Sequence, residues 1–118
     1  MVKLSLPIKP LSINSAWQGR RYKTHEYKSY EKEAMLFLRK YQKFPPEGEL
    51  FVTYIFYLRN YANTDVANLE KCLTDIIVKN KFIKDDRYIK EIRCIKQRAK
   101  EDRIEIEIEQ YQQKNPHE

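Results

Sequence analysis

Glycine is nearly absent from this chain. Only Gly19 and Gly48 occur among 118 residues. Neither a glycine-rich phosphate loop nor a three-glycine dinucleotide fingerprint can be built from two, so nucleotide-driven enzymes of those two types are excluded. Cysteine is scarce as well. Cys72 and Cys94 lie 22 positions apart, each inside an apolar-patterned segment, and lack the close Cys or His partners of a zinc site. They read as reduced structural thiols, in keeping with a cytosolic protein. His25 and His117 are far apart, which argues against a histidine metal site. Long apolar runs are missing too. No segment reaches the roughly 18 residues of a membrane span, and the opening MVKLSLPIKPLSIN lacks the apolar stretch of a secretion signal. The expectation is a cytoplasmic protein with no nucleotide cofactor and no membrane partner.

What the chain does have is charge and one core's worth of apolar side chains. Hydrophobic residues make up 42% and charged residues 34%, enough for one domain and too little chain for two. Residues 1–110 are expected to form that domain and 111–118 a polar C-terminal tail. Lys and Arg number 23 against 17 Asp and Glu, a net charge of +6. The excess is uneven. Residues 79–100 carry nine basic side chains and three acidic ones, and Arg20, Arg21 and Lys23 form a second knot interleaved with Trp17 and Tyr22. Cations neutralise phosphates and flat rings stack on exposed bases, so nucleic acid is one natural partner. A solvated lysine-rich surface is the other reading, and a small RNA-binding protein is also compatible with the basic stretches.

Periodicity gives the order β-α-β-α-β-β, an α+β fold with helices packed on one mixed sheet. Lys3 to Pro7 reads as a short strand and 8–24 as a loop. Apolar positions recur at helical spacing from His25 to Tyr41, and Pro45, Pro46 and Gly48 end that element. Leu50 to Leu58 (LFVTYIFYL) reads as a strand buried on most of both faces. Thr64 or Asp65 caps a second helix that runs to Lys79, with Asn80 as its stop. Tyr88 to Lys96 is a strand of imperfect alternation. In Arg103 to Glu109 (RIEIEIE), Ile104, Ile106 and Ile108 should face the core and the glutamates water.

Two acidic sites stand out against the basic background. Asp65 lies at the mouth of the second helix, and Asp85 and Asp86 lie between that helix and the next strand. A carboxylate cluster can hold Mg²⁺, which activates water against a phosphodiester. The two sites flank one helix at opposite ends, and meet only if residues 80–86 double back along it. On the same helix Asn68, Lys71 and Asp75 share a polar flank, from which Lys71 can stabilise transition-state charge or pair with Asp75. Taken singly, Asp65 is equally a helix cap and Asp85–Asp86 equally a polar turn.

Together these residues resemble the RusA family of Holliday junction resolvases. The family's D-x-D-N-x-x-K signature is similar to Asp65-Val66-Ala67-Asn68-Leu69-Glu70-Lys71, and its later D-D pair to Asp85-Asp86. Its L-P-x-x-P-x-S-x-N opening is similar to Leu6-Pro7, Pro10, Ser12 and Asn14. The resemblance spans roughly residues 4–109. It implies a homodimeric, Mg²⁺-dependent endodeoxyribonuclease acting on four-way junction DNA in the cytoplasm, bacterial or phage-encoded and of the prophage type. Carried over residue by residue, Asp65, Lys71 and Asp86 are catalytic, and Asp65 and Asp86 are metal ligands, with Asp85 or Glu70 as an alternative further ligand. Asn14, Arg20, Arg21, Lys23 and Asn68 would contact DNA. One motif position lacks its carboxylate: Ala67 stands where the family has its second aspartate. The alternative implied by Ala67 is a catalytically impaired protein that still binds branched DNA.

Overall fold

A computed structural model describes residues 1–12, 17–18, 22–41 and 48–111. Strand β1 (Val2–Leu6) is followed by a small hairpin of β2 (Trp17–Gln18) and β3 (Tyr22–Lys23), then helix α1 (His25–Leu38). Strand β4 (Leu50–Leu58), helix α2 (Val66–Lys79), strand β5 (Ile89–Arg98) and strand β6 (Arg103–Gln110) complete the order. Apart from the hairpin, which falls inside the segment 8–24 read as loop, this is the expected β-α-β-α-β-β sequence. Helix α1 stops three residues early, giving way to a 3₁₀ turn at Arg39–Tyr41. The Pro45–Pro46 stop and most of the polar tail lie outside the described residues. Gly48, at a φ of +75°, turns the chain into β4, a conformation that glycine adopts without strain. Among the described residues no helix is long and apolar enough to cross a membrane.

The four long strands form one mixed sheet in the order β1-β6-β4-β5. β6 runs antiparallel to both β1 and β4, whereas β4 and β5 are parallel. Parallel neighbours need a crossover, and α2 supplies it. The chain leaves β4 at Leu58, returns along α2, and enters β5 at Ile89 beside Leu50. That route decides which residues each end of α2 can reach.

Register puts the apolar side chains on one face. Leu4, Ile106, Tyr54 and Cys94 form one row across the sheet, and Leu6, Ile104, Phe56 and Lys96 the next. The buried stripes of α1 (Tyr27, Tyr30, Ala34, Leu38) and α2 (Leu69, Cys72, Leu73, Ile76, Ile77) belong to the same core. The second face is not covered in this way. Phe51, Ile55 and Tyr57 of β4 are only half-buried, so the expectation of burial on both faces holds for one. The glutamates of β6 depart from expectation in the other direction. Because β6 lies between β1 and β4, Glu105 and Glu107 are half-buried. The Tyr57 hydroxyl donates to Glu105 Oε2 at 3.1 Å, and the Arg103 guanidinium stacks 3.7 Å above the Tyr57 ring.

Candidate active site

The first acidic residue stands where β4 hands over to α2. Asp65 is the N-cap of α2, and its Oδ1 accepts from the Ala67 backbone N–H at 3.0 Å. The cap uses one of two carboxylate oxygens, and the residue stays exposed. The loop that carries it is held from below. Lys96 Nζ donates to the carbonyls of Tyr61 and Thr64 at 2.8 and 2.9 Å and sits 4.3 Å above the Tyr61 ring. Lys96, one of the cations of the basic 79–100 stretch, is therefore an internal tie. Lys79 is also engaged, pairing with Glu31 at 3.2 Å. Asn68 lies half-exposed on the first turn of α2, and Lys71 is exposed one turn further on. Among the described residues no salt bridge joins Lys71 to Asp75, so its ammonium is not spent on the i+4 pair.

The second acidic site is reached only after the helix has ended. The Lys81 N–H bonds to the Val78 carbonyl and the Phe82 N–H to the Ile77 carbonyl, with Lys81 at a φ of +61°. This reversal satisfies the last helical carbonyls and drives Phe82 and Ile83 into the core. The chain does not double back along α2. Asp85 then caps a 3₁₀ turn at Asp86–Tyr88, its Oδ1 accepting from the Arg87 N–H at 3.0 Å, and that bond holds its carboxyl below the usual carboxylate range. Asp86 opens the turn and is exposed.

Asp65 and Asp86 consequently occupy opposite ends of α2. Its 14 residues put those ends about 21 Å apart at 1.5 Å per residue. The sheet gives the same answer: Asp65 stands beside Lys96, Asp86 precedes Ile89, and that stretch of β5 spans about 23 Å. One chain alone does not bring the two carboxylates together.

Neither substitute for the missing aspartate is a free carboxylate at the mouth of α2. Ala67 is exposed on the first turn and offers no oxygen. Glu70 is half-buried, accepts from Thr74 Oγ1 at 3.3 Å, and through Thr74 joins the buried Tyr54 hydroxyl, 2.9 Å from Oγ1. Burial pushes the Glu70 carboxyl above its ordinary value of 4.5. A raised pKa means that the fold prefers the protonated form, so this contribution to stability is complete at acid pH and lost as pH rises through the raised value. The melting-temperature gain of Glu70→Gln over the wild type is therefore expected to grow as thermal melts move from about pH 4 to about pH 8. A gain independent of pH would show that the Glu70 charge is not its cause.

Of the expected DNA contacts, Asn14, Arg20 and Arg21 lie outside the described residues, and Lys23 is located by its backbone in β3, paired with Trp17. An open cleft of about 880 Å³ brings together two cations not singled out from the sequence, Lys9 and Arg59, with His25, Thr64 and the carboxylates Glu26, Glu33 and Asp102. The cleft ends next to Asp65. Lys9 and Arg59 are 50 positions apart, and their charge was visible, but their meeting depends on β1 and β4 both finishing at the same end of the sheet, on either side of β6.

Mg²⁺ takes oxygen ligands and accepts one or two protein carboxylates with water completing the shell. Among the described residues no group of three or more His, Cys, Asp and Glu side chains could hold a metal ion. A single chain thus offers Asp65 at one place and Asp86 at another. Neither cysteine forms a disulfide; Cys72 is buried and burial pushes the Cys94 thiol to about 11, which suits the structural role expected of them. No curated protein matches the chain. A family model described as endodeoxyribonuclease RusA matches residues 9–109, a span that contains the capped start of α2, the cleft and the Asp85–Asp86 turn, and the chain belongs to the RusA endodeoxyribonuclease family.

Proposed function

We propose that the protein is a Mg²⁺-dependent endonuclease that resolves four-way DNA junctions as a homodimer, in the cytoplasm of a bacterium or as a phage-encoded protein. The observation that carries this reading is the N-terminal turn of α2. It presents Asp65, Asn68 and Lys71 of the family signature at the surface, beside an open cleft. The separation along α2 supplies the reason for a dimer. A two-fold axis that sets two chains antiparallel puts Asp65 of one beside Asp86 of the partner subunit, and makes two such sites. Two carboxylates with water suffice for Mg²⁺, which when bound supplies Lewis-acid assistance to phosphodiester hydrolysis. The chain's own residues do the rest. Lys71 meets the charge that develops on the phosphate, Asn68 holds the strand beside it, and Lys96 keeps the Asp65 loop in place.

Two identical sites suit a four-way junction, whose strands are related by an approximate two-fold axis. A labelled synthetic junction and a linear duplex of the same sequence, each with and without Mg²⁺, test the proposal. Symmetric paired nicks are expected in the junction alone, with Mg²⁺ alone, and none with Asp86→Asn. Equal affinity for junction and duplex would overturn it. Ala67 favours a second reading, junction binding without cleavage, and its signature is tight binding with no nicks at any Mg²⁺ concentration.

A further inference from the structure

β5 is the edge of the sheet next to the proposed site. It is ten residues long, and among the described residues no strand pairs with its outer side. A long edge with unpaired backbone groups is a template for a further strand. We infer that the strand it takes is β5 of a second copy, antiparallel, with the two-fold axis passing through Ile92. This rests on the homodimer reading and adds the surface and the register.

Three features converge on that arrangement. A two-fold axis perpendicular to the sheet makes edge pairing antiparallel and keeps the helices of both copies on one face. It also sets the beginning of each β5 beside the end of the other. The beginning follows the Asp86 turn, and the end carries Lys96 with the Asp65 loop, so this pairing is the one that closes the gap along α2. The third feature is charge. Glu91 and Arg93 are exposed and lie on the open face of the sheet, opposite Phe51 and Thr53 of β4. Neither takes part in a salt bridge among the described residues.

With the axis at Ile92, Glu91 faces Arg93 of the partner subunit, and the pair occurs twice. Moving the axis to Glu91 or to Arg93 would set either residue against its own copy, and like charges directly opposite are destabilising. Moving it to Cys94 would oppose Lys90 to Arg98 of the partner subunit. Only the Ile92 register among these four is complementary in charge.

Sedimentation equilibrium of the full chain tests the register. Glu91→Arg or Arg93→Glu alone places like charges in two positions and should weaken the dimer by roughly tenfold. The double variant Glu91→Arg/Arg93→Glu should return close to the wild-type dissociation constant. Independently, Ile92→Cys in a Cys94→Ser background should give an interchain disulfide under copper–phenanthroline oxidation, since opposed Cα atoms at about 5 Å are within bonding reach. Glu91→Cys in the same background should not. A wild-type dimer that both reversals leave intact and that Ile92→Cys does not cross-link would overturn this interface while leaving the homodimer standing. A wild-type chain that stays monomeric at cleavage concentrations would overturn both.

Discussion

Mixing Asp65→Asn chains with Asp86→Asn chains should restore junction nicking that neither variant shows alone. In a heterodimer of the two, one composite site carries both substitutions and the other carries neither. If equal amounts exchange freely, half the dimers are mixed and each holds one intact site, so about one quarter of the wild-type nicking should return. Nicking should fall on single strands, because no dimer holds two working sites. Sites built within one chain would behave differently, since every chain in the mixture would lack one carboxylate. Failure of complementation, with subunit exchange verified by light scattering of tagged chains, would return the search for the second carboxylate to the single chain. The effect is large because it is a gain from nothing, and because the distance along α2 leaves no single-chain geometry in which Asp65 and Asp86 share an ion.

Ala67→Asp should lower the Mg²⁺ concentration needed for half-maximal nicking by roughly 10- to 100-fold, the scale on which groups supporting a metal site act. Position 67 is exposed two residues beyond Asp65, and its backbone N–H already bonds to the Asp65 carboxylate. A carboxylate in the first turn of a helix is also favoured by the helix dipole, by about 0.3–1 kcal/mol, so the fold should tolerate it. The measurement is a Mg²⁺ titration of nicking on the synthetic junction, with thermal melting as the folding control. If the wild type binds junctions without cutting them, the same substitution should bring nicking into view. An unchanged Mg²⁺ dependence would mean that position 67 does not face the ion. Glu70 is a poor competitor for that role, since its side chain is turned into the Thr74–Tyr54 hydrogen bonds.

Much of the local structure was legible in the sequence because it follows from neighbours in the chain. The alternation of RIEIEIE sets three isoleucines on one side of a strand, and Ile104, Ile106 and Ile108 are buried there. Asp65 followed by an apolar stripe of helical spacing marks the start of α2, and Asn80 marks its end. The two-residue hairpin in 8–24 escaped notice because strands of that length leave no periodicity to read. The half-open second face of β4 escaped for a different reason. An apolar run records how hydrophobic a strand is, whereas the number of faces covered depends on where the helices go.

The sequence by itself determined the two helices and four long strands, their order, the exclusion of glycine-loop nucleotide enzymes, and the acidic residues set in a basic chain. Tertiary structure alone decided which of those residues can meet. The parallel pairing of β4 with β5 forces α2 to run the length of the sheet, and the turn at Lys81 sends the chain into the core instead of back along the helix. Spacing along a chain carries no information about such a crossover, because the same 21 positions from Asp65 to Asp86 fit a hairpin or a full helix length equally well. The same topology brings Lys9 and Arg59 to one cleft, and leaves β5 as an edge whose charges match their own copy.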